Sequence, residues 1–195
     1  MVREFENIIN GNETGKVIEK FGITHYRYND CAPEYLVKVD GFRVRKDCAK
    51  AFKEMKKSAQ KEGLKLKVVS GYRSSHYQIK VFKRKFNGKY PTDDQMKARL
   101  KYSAPSGFSE HHTGLAIDIN ETEDWFKDTK EYEWLCKHAG KYGFENSFSE
   151  NNAQGLGFEP WHWRYIGVNC ENENIFRLAR QNDPRYRSQY ESTSD

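Results

Sequence analysis

The sequence lacks a long run of apolar residues, and its first residues lack the apolar segment of a secretory leader. No run approaches the roughly 18 apolar residues that a helix needs to cross a membrane. The opening stretch, MVREFENIINGNETG, has no such segment, so no signal peptide is visible in it. We expect no membrane span. Either the protein stays inside the cell or the chain begins after a leader that was removed.

Closely spaced cysteines are also missing. The four cysteines are Cys31, Cys48, Cys136 and Cys170. They form no C-x-x-C pair, which argues against a zinc knuckle built from cysteine. Two disulfides and four buried thiols both stay open, because four cysteines allow three pairings and the sequence does not choose among them.

A dense basic run is absent as well, although the net charge is +5. The lysines concentrate between Lys46 and Lys67 and between Lys80 and Lys101, largely on predicted helix faces. A mild positive balance suits nucleic acid, anionic lipid or an acidic polymer. Ordinary solvated helix surfaces account for it equally well, so we expect no nucleic-acid partner.

The chain is nevertheless long enough and aromatic enough to fold. Its 195 residues suffice for one domain with a hydrophobic core and are few for two. The mean hydropathy of −0.98 indicates a polar surface. An aromatic content of 14% argues against disorder, which is usually aromatic-poor. We predict a monomer with a small aromatic-rich core.

Apolar spacing, capping residues and glycine or proline breakers predict alternating helices and strands. The predicted elements are a short helix from Val17 to Phe21, a helix from Asp47 as N-cap to Gly63, a strand from Leu64 to Ser70, a helix capped by Ser74 or Ser75 and closed by Gly88, a helix or loop over 91–101, a strand over 114–120, a helix over 130–144, a strand over 159–167 and a helix over 174–180.

This order of elements favours an α+β fold in which helices pack against a small antiparallel sheet. The apolar faces of two helices are predicted by their spacing: Ala49, Phe52, Met55 and Ala59 on one, and Tyr132, Leu135, Cys136 and Ala139 on the other. We expect an N-terminal extension at 1–35, one domain at 36–182, and a disordered tail at 183–195.

The stretch SEHHTGLAID, residues 109–118, contains the first candidate for a chemical site. In a strand that starts at Gly114, alternation puts Ala116 and Asp118 on one face and three apolar residues on the other. The apolar face must enter the core, so Asp118 projects from the opposite face. The glycine allows a turn that brings His111 back over it. Imidazole and carboxylate are ligands that zinc accepts, whereas a surface loop before a strand is the alternative.

A third ligand and a base are available in the run EPWH, residues 159–162. Pro160 disfavours a helical turn at Glu159, so this is not a helical H-E-x-x-H site. On a straight strand Glu159 and His162 would face opposite sides, so a shared site requires a bend near Pro160. Three protein ligands plus water define the open, catalytic kind of zinc site. The alternative is that His162 is a polar neighbour of core aromatics.

The segment SGYRSSHYQ, residues 70–78, is the third piece. It places Arg73 just before a helix N-terminus, an electropositive position that suits an anion. The guanidinium could hold a peptide carboxylate or an oxyanion with two parallel hydrogen bonds. An exposed arginine beside a helix cap is the alternative.

Together these three motifs resemble the VanY-like D-alanyl-D-alanine carboxypeptidases, zinc peptidases of the wider group that includes lysostaphin and the hedgehog signalling domain. The resemblance runs from about Leu36 to Gly167 and implies a hedgehog/D-Ala-D-Ala-peptidase-like fold with a catalytic Zn²⁺. The roles that it implies are zinc binding by His111, Asp118 and His162, proton transfer by Glu159, substrate binding and transition-state stabilisation by Arg73, and a place in the substrate pocket for Gln78 and Ser109.

The implied activity is removal of the C-terminal D-alanine from peptidoglycan stem peptides, with Trp161 and Trp163 expected in the walls of the cleft. An L,D-carboxypeptidase acting on tetrapeptides, a phage-type endopeptidase and a non-catalytic zinc- or peptidoglycan-binding module are the alternatives. Position 112 is His where relatives commonly carry Gln, which makes His112 an alternative ligand. The implied location is the periplasm or cell envelope if a leader has been removed, and otherwise the cytoplasm or a phage.

Overall fold

The structure, a computed structural model, describes residues 2–12 and 21–191. The helices are α1 (Val2–Asn10), α2 (Lys46–Lys61), α3 (Ser75–Lys83), α4 (Asp93–Tyr102), α5 (Lys130–His138), α6 (Glu173–Gln181) and α7 (Ser188–Glu191). The strands are β1 (Leu36–Val39), β2 (Phe42–Arg45), β3 (Val68–Ser70), β4 (Ala116–Ile119), β5 (Phe144–Asn146) and β6 (His162–Tyr165). Short 3-10 helices include Glu110–Thr113 and Ala139–Tyr142. The predicted α+β class is confirmed.

Four strands form the central sheet in the order β3-β4-β6-β5, and every neighbouring pair is antiparallel. β1 and β2 form a separate two-stranded hairpin. The register of β4 against β6 sets Asp118 opposite His162 and Ala116 opposite Arg164. Because directly opposite residues of an antiparallel pair share a face of the sheet, Asp118 and His162 lie side by side.

The other face of β4 packs in the core, as the alternation predicted. Leu115, Ile117 and Ile119 are all fully buried. They belong to the same apolar cluster as the predicted face of α2, whose residues Ala49, Phe52, Met55 and Ala59 are buried too. Burial of a side chain the size of Phe52 stabilises the fold by roughly 1.5–3 kcal/mol.

The start of α2 differs from the prediction, whereas its end and the cap of α3 agree with it. Arg45, not Asp47, occupies the N-cap position of α2. Asp47 lies in the first turn, where its carboxylate accepts hydrogen bonds from the Arg45 side chain and from the Cys48 N–H. Gly63 follows the helix with φ +78°, and the Ser74 hydroxyl caps α3.

Two sequence-based assignments were too long or misplaced. The strand predicted from Leu64 begins only at Val68, because Asn120 takes the place of a strand partner: its side chain bonds the Lys67 N–H (2.8 Å) and the Lys65 carbonyl (2.8 Å). Cys136 is exposed rather than on the apolar face of α5. The buried residues of that helix are Trp134 and Leu135.

The N-terminal extension has more structure than the sequence predicted. Ile8 and Ile9 of α1 are buried in a second apolar cluster with Ile23, Phe82 and Leu100. The extension therefore packs on α3 and α4. The short helix predicted from Val17 to Phe21 lies almost wholly outside the described residues.

The C-terminal segment also continues past the predicted boundary at residue 182. Asp183 is buried, and the Arg185 guanidinium donates to the Asn146 carbonyl of β5 at 2.9 Å. Residues 183–187 are thus tied to the sheet. A disordered tail stays a prediction for residues 192–195, which lie outside the described part of the chain.

Within the described residues all four cysteines are free thiols, with Cys48 buried beneath β4. No helix in that part of the chain has both the length and the apolar character needed to cross a membrane.

Two glycines just before β5, Gly140 and Gly143, differ in the space available for a side chain. Gly143 has φ +76°, and an added Cβ would lie 2.6 Å from the Gly167 carbonyl carbon and 2.7 Å from the Val168 nitrogen. Gly140, three residues earlier, has open space around it. We expect Gly143→Ala to lower the free energy of unfolding by about 1–3 kcal/mol and Gly140→Ala to leave it within about 1 kcal/mol of wild type or above it. Urea unfolding measures both, and equal effects would contradict the described contact.

Candidate metal centre and active site

The ligand loop, residues 109–114, is shaped by its own backbone. The Ser109 hydroxyl caps the short 3-10 helix by accepting a hydrogen bond from the His111 N–H at 3.3 Å. Gly114 ends this helix with φ +68°, a conformation that glycine adopts without strain. The turn brings His111 back over β4, and its Nε2 lies 3.4 Å from Asp118 Oδ2. The predicted turn is confirmed.

The chain also turns at Pro160, just before β6. The His162 N–H donates to the Glu159 carbonyl at 3.2 Å, which closes the turn. The Asn146 side-chain amide donates to the carbonyls of both Glu159 and His162, at 2.8 and 2.9 Å. This bend is the one that the sequence required, and it lets Glu159 and His162 line one cleft.

Three buried side chains from these segments converge. The ligand atoms of His111, Asp118 and His162 all lie within 4.8 Å of one another. His162 Nδ1 is 3.1 Å from Asp118 Oδ1. Two ligand atoms at ~2.0–2.2 Å from a tetrahedral zinc ion are roughly 3.3–3.6 Å apart, so the donor types fit zinc and the two distances to Asp118, 3.4 and 3.1 Å, are close to that spacing. Among the residues that the structure describes, no other cluster of this kind is present.

His112 is not part of this cluster. Its Nδ1 bonds the Arg73 carbonyl at 2.6 Å, and its Nε2 accepts from the Gly107 N–H at 3.1 Å. Both ring nitrogens are therefore used within the protein, and the ring is fully buried. His112 connects the ligand loop to the segment that carries Arg73.

In the metal-free protein, a proton on His162 offsets the negative charge of the Asp118 carboxylate. Burial alone would lower the pKa of His162, but Asp118 and Glu110 on its two ring nitrogens raise it to about 10. Burial would raise the pKa of Asp118, yet His111 and His162 hold it well below its ordinary value. Burial lowers the pKa of His111, so that ring is neutral. A metal ion at His162 would displace the proton there.

Glu159 is poised for proton transfer. Burial raises the pKa of its carboxyl to about 8, although His162 and Arg73 act in the opposite direction. The negative charges of Asp118 and Glu110 add to the upward shift. A carboxyl with a pKa near neutrality can both accept and return a proton during a reaction.

Arg73 reaches the same cleft from the segment before α3. Its guanidinium donates to Gln78 Oε1 at 3.0 Å, and its backbone N–H donates to the His111 carbonyl at 3.2 Å. Gln78 is itself held by the Ala104 carbonyl, which accepts from its amide at 2.6 Å. Burial lowers the pKa of Arg73, while Asp118 and Glu159 act to raise it. The guanidinium remains charged, because its ordinary pKa exceeds 12.

The cleft has a volume of about 210 Å³. It is lined by all the residues predicted to bind metal, bind substrate or transfer a proton, including Gln78, Ser109 and Trp161. The expectation for Trp163 was wrong: this residue is buried in the core and donates its indole N–H to the Pro160 carbonyl. Because β6 alternates, His162 and Trp163 must face opposite sides of the sheet.

Sequence reasoning missed two residues at the site. Glu110, inside the ligand loop, is buried and bonds His162 Nε2 at 3.0 Å. His25, from the N-terminal extension, lines the cleft and bonds the Leu100 carbonyl at 3.0 Å. The position of Glu110 between two motif residues was a usable signal, whereas nothing near His25 in the sequence indicates a site.

A larger cavity of about 730 Å³ lies elsewhere, beside the β1–β2 hairpin and α6. Its lining includes Asp30, Tyr35, Arg45 and Ile175. None of the predicted site residues lines it. Size alone therefore does not locate the chemistry of this protein.

Comparison with known proteins agrees with this site. The family model described as D-alanyl-D-alanine carboxypeptidase (VanY) matches residues 41–168. The chain belongs to this family. The putative carboxypeptidase YodJ of Bacillus subtilis (strain 168) is 38% identical over 132 residues, which cover 64% of this chain and 46% of that protein. Across four curated relatives, the matched part is between 37% and 57% of their length.

Solved structures of the same kind share the fold. The LdcB LD-carboxypeptidase is 29% identical with a TM-score of 0.61, over 84% of this chain and 76% of that one. A variant of the vancomycin resistance D,D-pentapeptidase VanY, in complex with Zn(II), is 27% identical with a TM-score of 0.57, over 80% of this chain and 92% of that one.

The raised pKa of Glu159 makes the metal-free protein sensitive to pH. A carboxyl that is protonated in the folded protein up to about pH 8, but ionised above its ordinary pKa of about 4.3 in the unfolded chain, costs stability as the pH rises between these values. We expect the melting temperature of Glu159→Gln in EDTA to match wild type near pH 5 and to exceed it by roughly 3 °C or more at pH 8.

Scanning calorimetry at the two pH values measures this difference. Glu150→Gln changes an exposed carboxyl and should melt with wild type at both. A Glu159→Gln advantage that is equal at pH 5 and pH 8 would contradict the buried, protonated carboxyl.

Proposed function

We propose that this protein is a zinc-dependent carboxypeptidase that removes the C-terminal D-alanine from peptidoglycan stem peptides. One observation carries the proposal: three zinc-type ligands, a carboxyl with a raised pKa and a charged guanidinium line a single small cleft. A binding module has no need for Glu159 and Arg73 beside the ligands. The zinc complex of a VanY structure supports the choice of metal.

The reaction would use Glu159 as the general base and then as the general acid. His111, Asp118 and His162 would hold a zinc ion, and that ion would supply Lewis acidity to polarise the scissile carbonyl and acidify the attacking water. Glu159 accepts the proton of that water and passes it to the leaving amine.

Arg73 favours removal of a terminal residue over internal cleavage. Its guanidinium is partly buried, and Gln78 holds one of its nitrogens. A planar guanidinium pairs with a free carboxylate through two hydrogen bonds, and an internal peptide bond offers no such partner. These features support an exopeptidase over a phage-type endopeptidase.

Pentapeptides that end in D-Ala-D-Ala are the first substrate to test, because the family model and several relatives carry that specificity in their names. Tetrapeptides ending in a single D-Ala are the second, because an LD-carboxypeptidase is among the similar structures. Both substrates lie in the cell wall, so we propose an envelope location for the active protein.

The test is mass spectrometry of purified muropeptides incubated with zinc-loaded protein. We expect the pentapeptide to lose the mass of one alanine residue, and Glu159→Gln to retain zinc while its rate falls by roughly 10²–10⁴-fold. Loss from the tetrapeptide alone would replace the D,D assignment with L,D. Zinc binding with no hydrolysis of either would favour the non-catalytic module.

A paired substrate tests the role of Arg73 in the same assay. Wild type should cleave a peptide with a free C-terminal carboxylate much faster than the same peptide with a C-terminal amide. Arg73→Gln should lose this preference, and Arg73→Lys should keep part of it, because lysine retains the charge but not the planar fork. An unchanged preference in Arg73→Gln would remove Arg73 as the carboxylate anchor.

A further inference from the structure

Glu110 is the most completely bonded acidic residue near the ligand set. It is 3% exposed and comes from the ligand loop, directly before His111. Its Oε2 accepts from the Ser147 hydroxyl at 2.6 Å and lies 3.0 Å from His162 Nε2. Its Oε1 accepts from the Arg164 guanidinium at 2.7 Å.

The contact between Glu110 and His162 determines which ring nitrogen of His162 keeps its hydrogen. Both oxygens of Glu110 accept from other donors, Oε1 from the Arg164 guanidinium and Oε2 from the Ser147 hydroxyl, and a carboxylate can only accept hydrogen bonds. His162 Nε2 must therefore carry a hydrogen. The opposite nitrogen, Nδ1, is the one that lies 3.1 Å from Asp118 Oδ1. If Glu110 keeps the hydrogen on Nε2, a metal ion beside Asp118 would displace the Nδ1 proton and meet the lone pair of that nitrogen.

We propose that Glu110 is a positioning residue that fixes the tautomer and orientation of His162, so that Nδ1 is the zinc ligand. Phe148, stacked on the His162 ring at 4.5 Å between centroids, restricts the tilt of the ring but does not select a tautomer. A metal-binding histidine that donates its other N–H to a carboxylate is a recurring arrangement in zinc sites. The inference deepens the proposed function, since it concerns the same metal centre.

The two ligand histidines differ in whether a hydrogen-bond acceptor fixes the tautomer of the ring. His111 Nδ1 is buried and bonds no described residue, so no acceptor fixes the tautomer of that ring. His162 is held on both sides. Loss of Glu110 therefore affects a single ligand and leaves the other two in place.

Arg164 connects Glu110 to a second buried carboxylate, Glu145. This guanidinium is buried and also bonds Glu145 Oε1, through its Nε and a terminal nitrogen, at 2.7 Å each. Glu145 is buried as well, and its bonds run to two arginines and to Tyr186 but not to His162. Glu145 thus offers a matched control: it is a carboxylate on the same arginine without the contact to the ring.

The experiment measures zinc affinity of the full chain by competition with a chromophoric chelator. In Glu110→Gln the new amide cannot accept from both Arg164 and His162, so one donor faces the NH₂ group. We expect zinc affinity to fall roughly 10–100-fold in Glu110→Gln and to stay within about threefold of wild type in Glu145→Gln. Partial recovery is expected in Glu110→Asp, which restores a carboxylate.

Melting temperatures of the metal-free variants separate positioning from folding. Both Gln variants should melt lower than wild type, because each breaks a buried ion pair. Wild-type zinc affinity in a folded Glu110→Gln, or equal losses in both Gln variants, would overturn the proposal.

A measurement on wild type covers the case in which Glu110→Gln does not fold. In the zinc-loaded protein labelled with ¹⁵N-histidine, NMR should show the His162 hydrogen on Nε2 and the metal on Nδ1. A hydrogen on Nδ1 would overturn the proposal. If wild type binds zinc and depends on Glu110 but hydrolyses no muropeptide, the proposed function fails and this inference stands. A wild type that binds no zinc overturns both.

Discussion

The register of β4 against β6 is the constraint on which the site depends. It sets Asp118 directly opposite His162 on one face of the sheet, where cross-strand side chains are neighbours. The same register sets Ala116 opposite Arg164, and the small alanine leaves room for the large guanidinium. Because side chains alternate along a strand, a shift of one residue would send either Asp118 or His162 into the core. The apolar residues on the opposite face therefore fix the positions of two candidate metal ligands as well as the fold.

Charge on the site face is arranged in layers. The outer layer lines the cleft and holds the ligand set, Glu159, Arg73 and Glu110, and the inner layer holds the buried Arg164 and Glu145. Buried ion pairs are costly to desolvate and add little net stability, so their presence is better explained by what they hold in place. Glu110 connects the two layers, because it bonds both His162 and Arg164.

Much of this arrangement could be predicted from the sequence, for identifiable reasons. Alternation along β4 predicted the face of Asp118, and the glycine at 114 predicted the turn that returns His111. The facing directions of Glu159 and His162 required a bend at Pro160, which the structure contains. These features are local, and a few residues of sequence determine them.

The features that could not be predicted depend on distant contacts. In the sequence Glu110 resembles an ordinary surface acid, and its role depends on contacts with Arg164 and Ser147. His25 lines the cleft because the N-terminal extension packs on α3 and α4. The late start of β3, at Val68 instead of Leu64, depends on Asn120, which is 55 residues along the chain from Lys65. The role of His112 likewise became clear only from its bonds to Arg73 and Gly107.

Anomalous diffraction at the zinc edge, from crystals of the zinc-loaded protein, tests the central claim most directly. The account predicts one strong peak at ~2.0–2.2 Å from a ring nitrogen of His111, a carboxylate oxygen of Asp118 and Nδ1 of His162, with the Glu159 carboxyl facing the open side of the ion. A peak coordinated by His112, or one that leaves out Asp118 or His162, would contradict it.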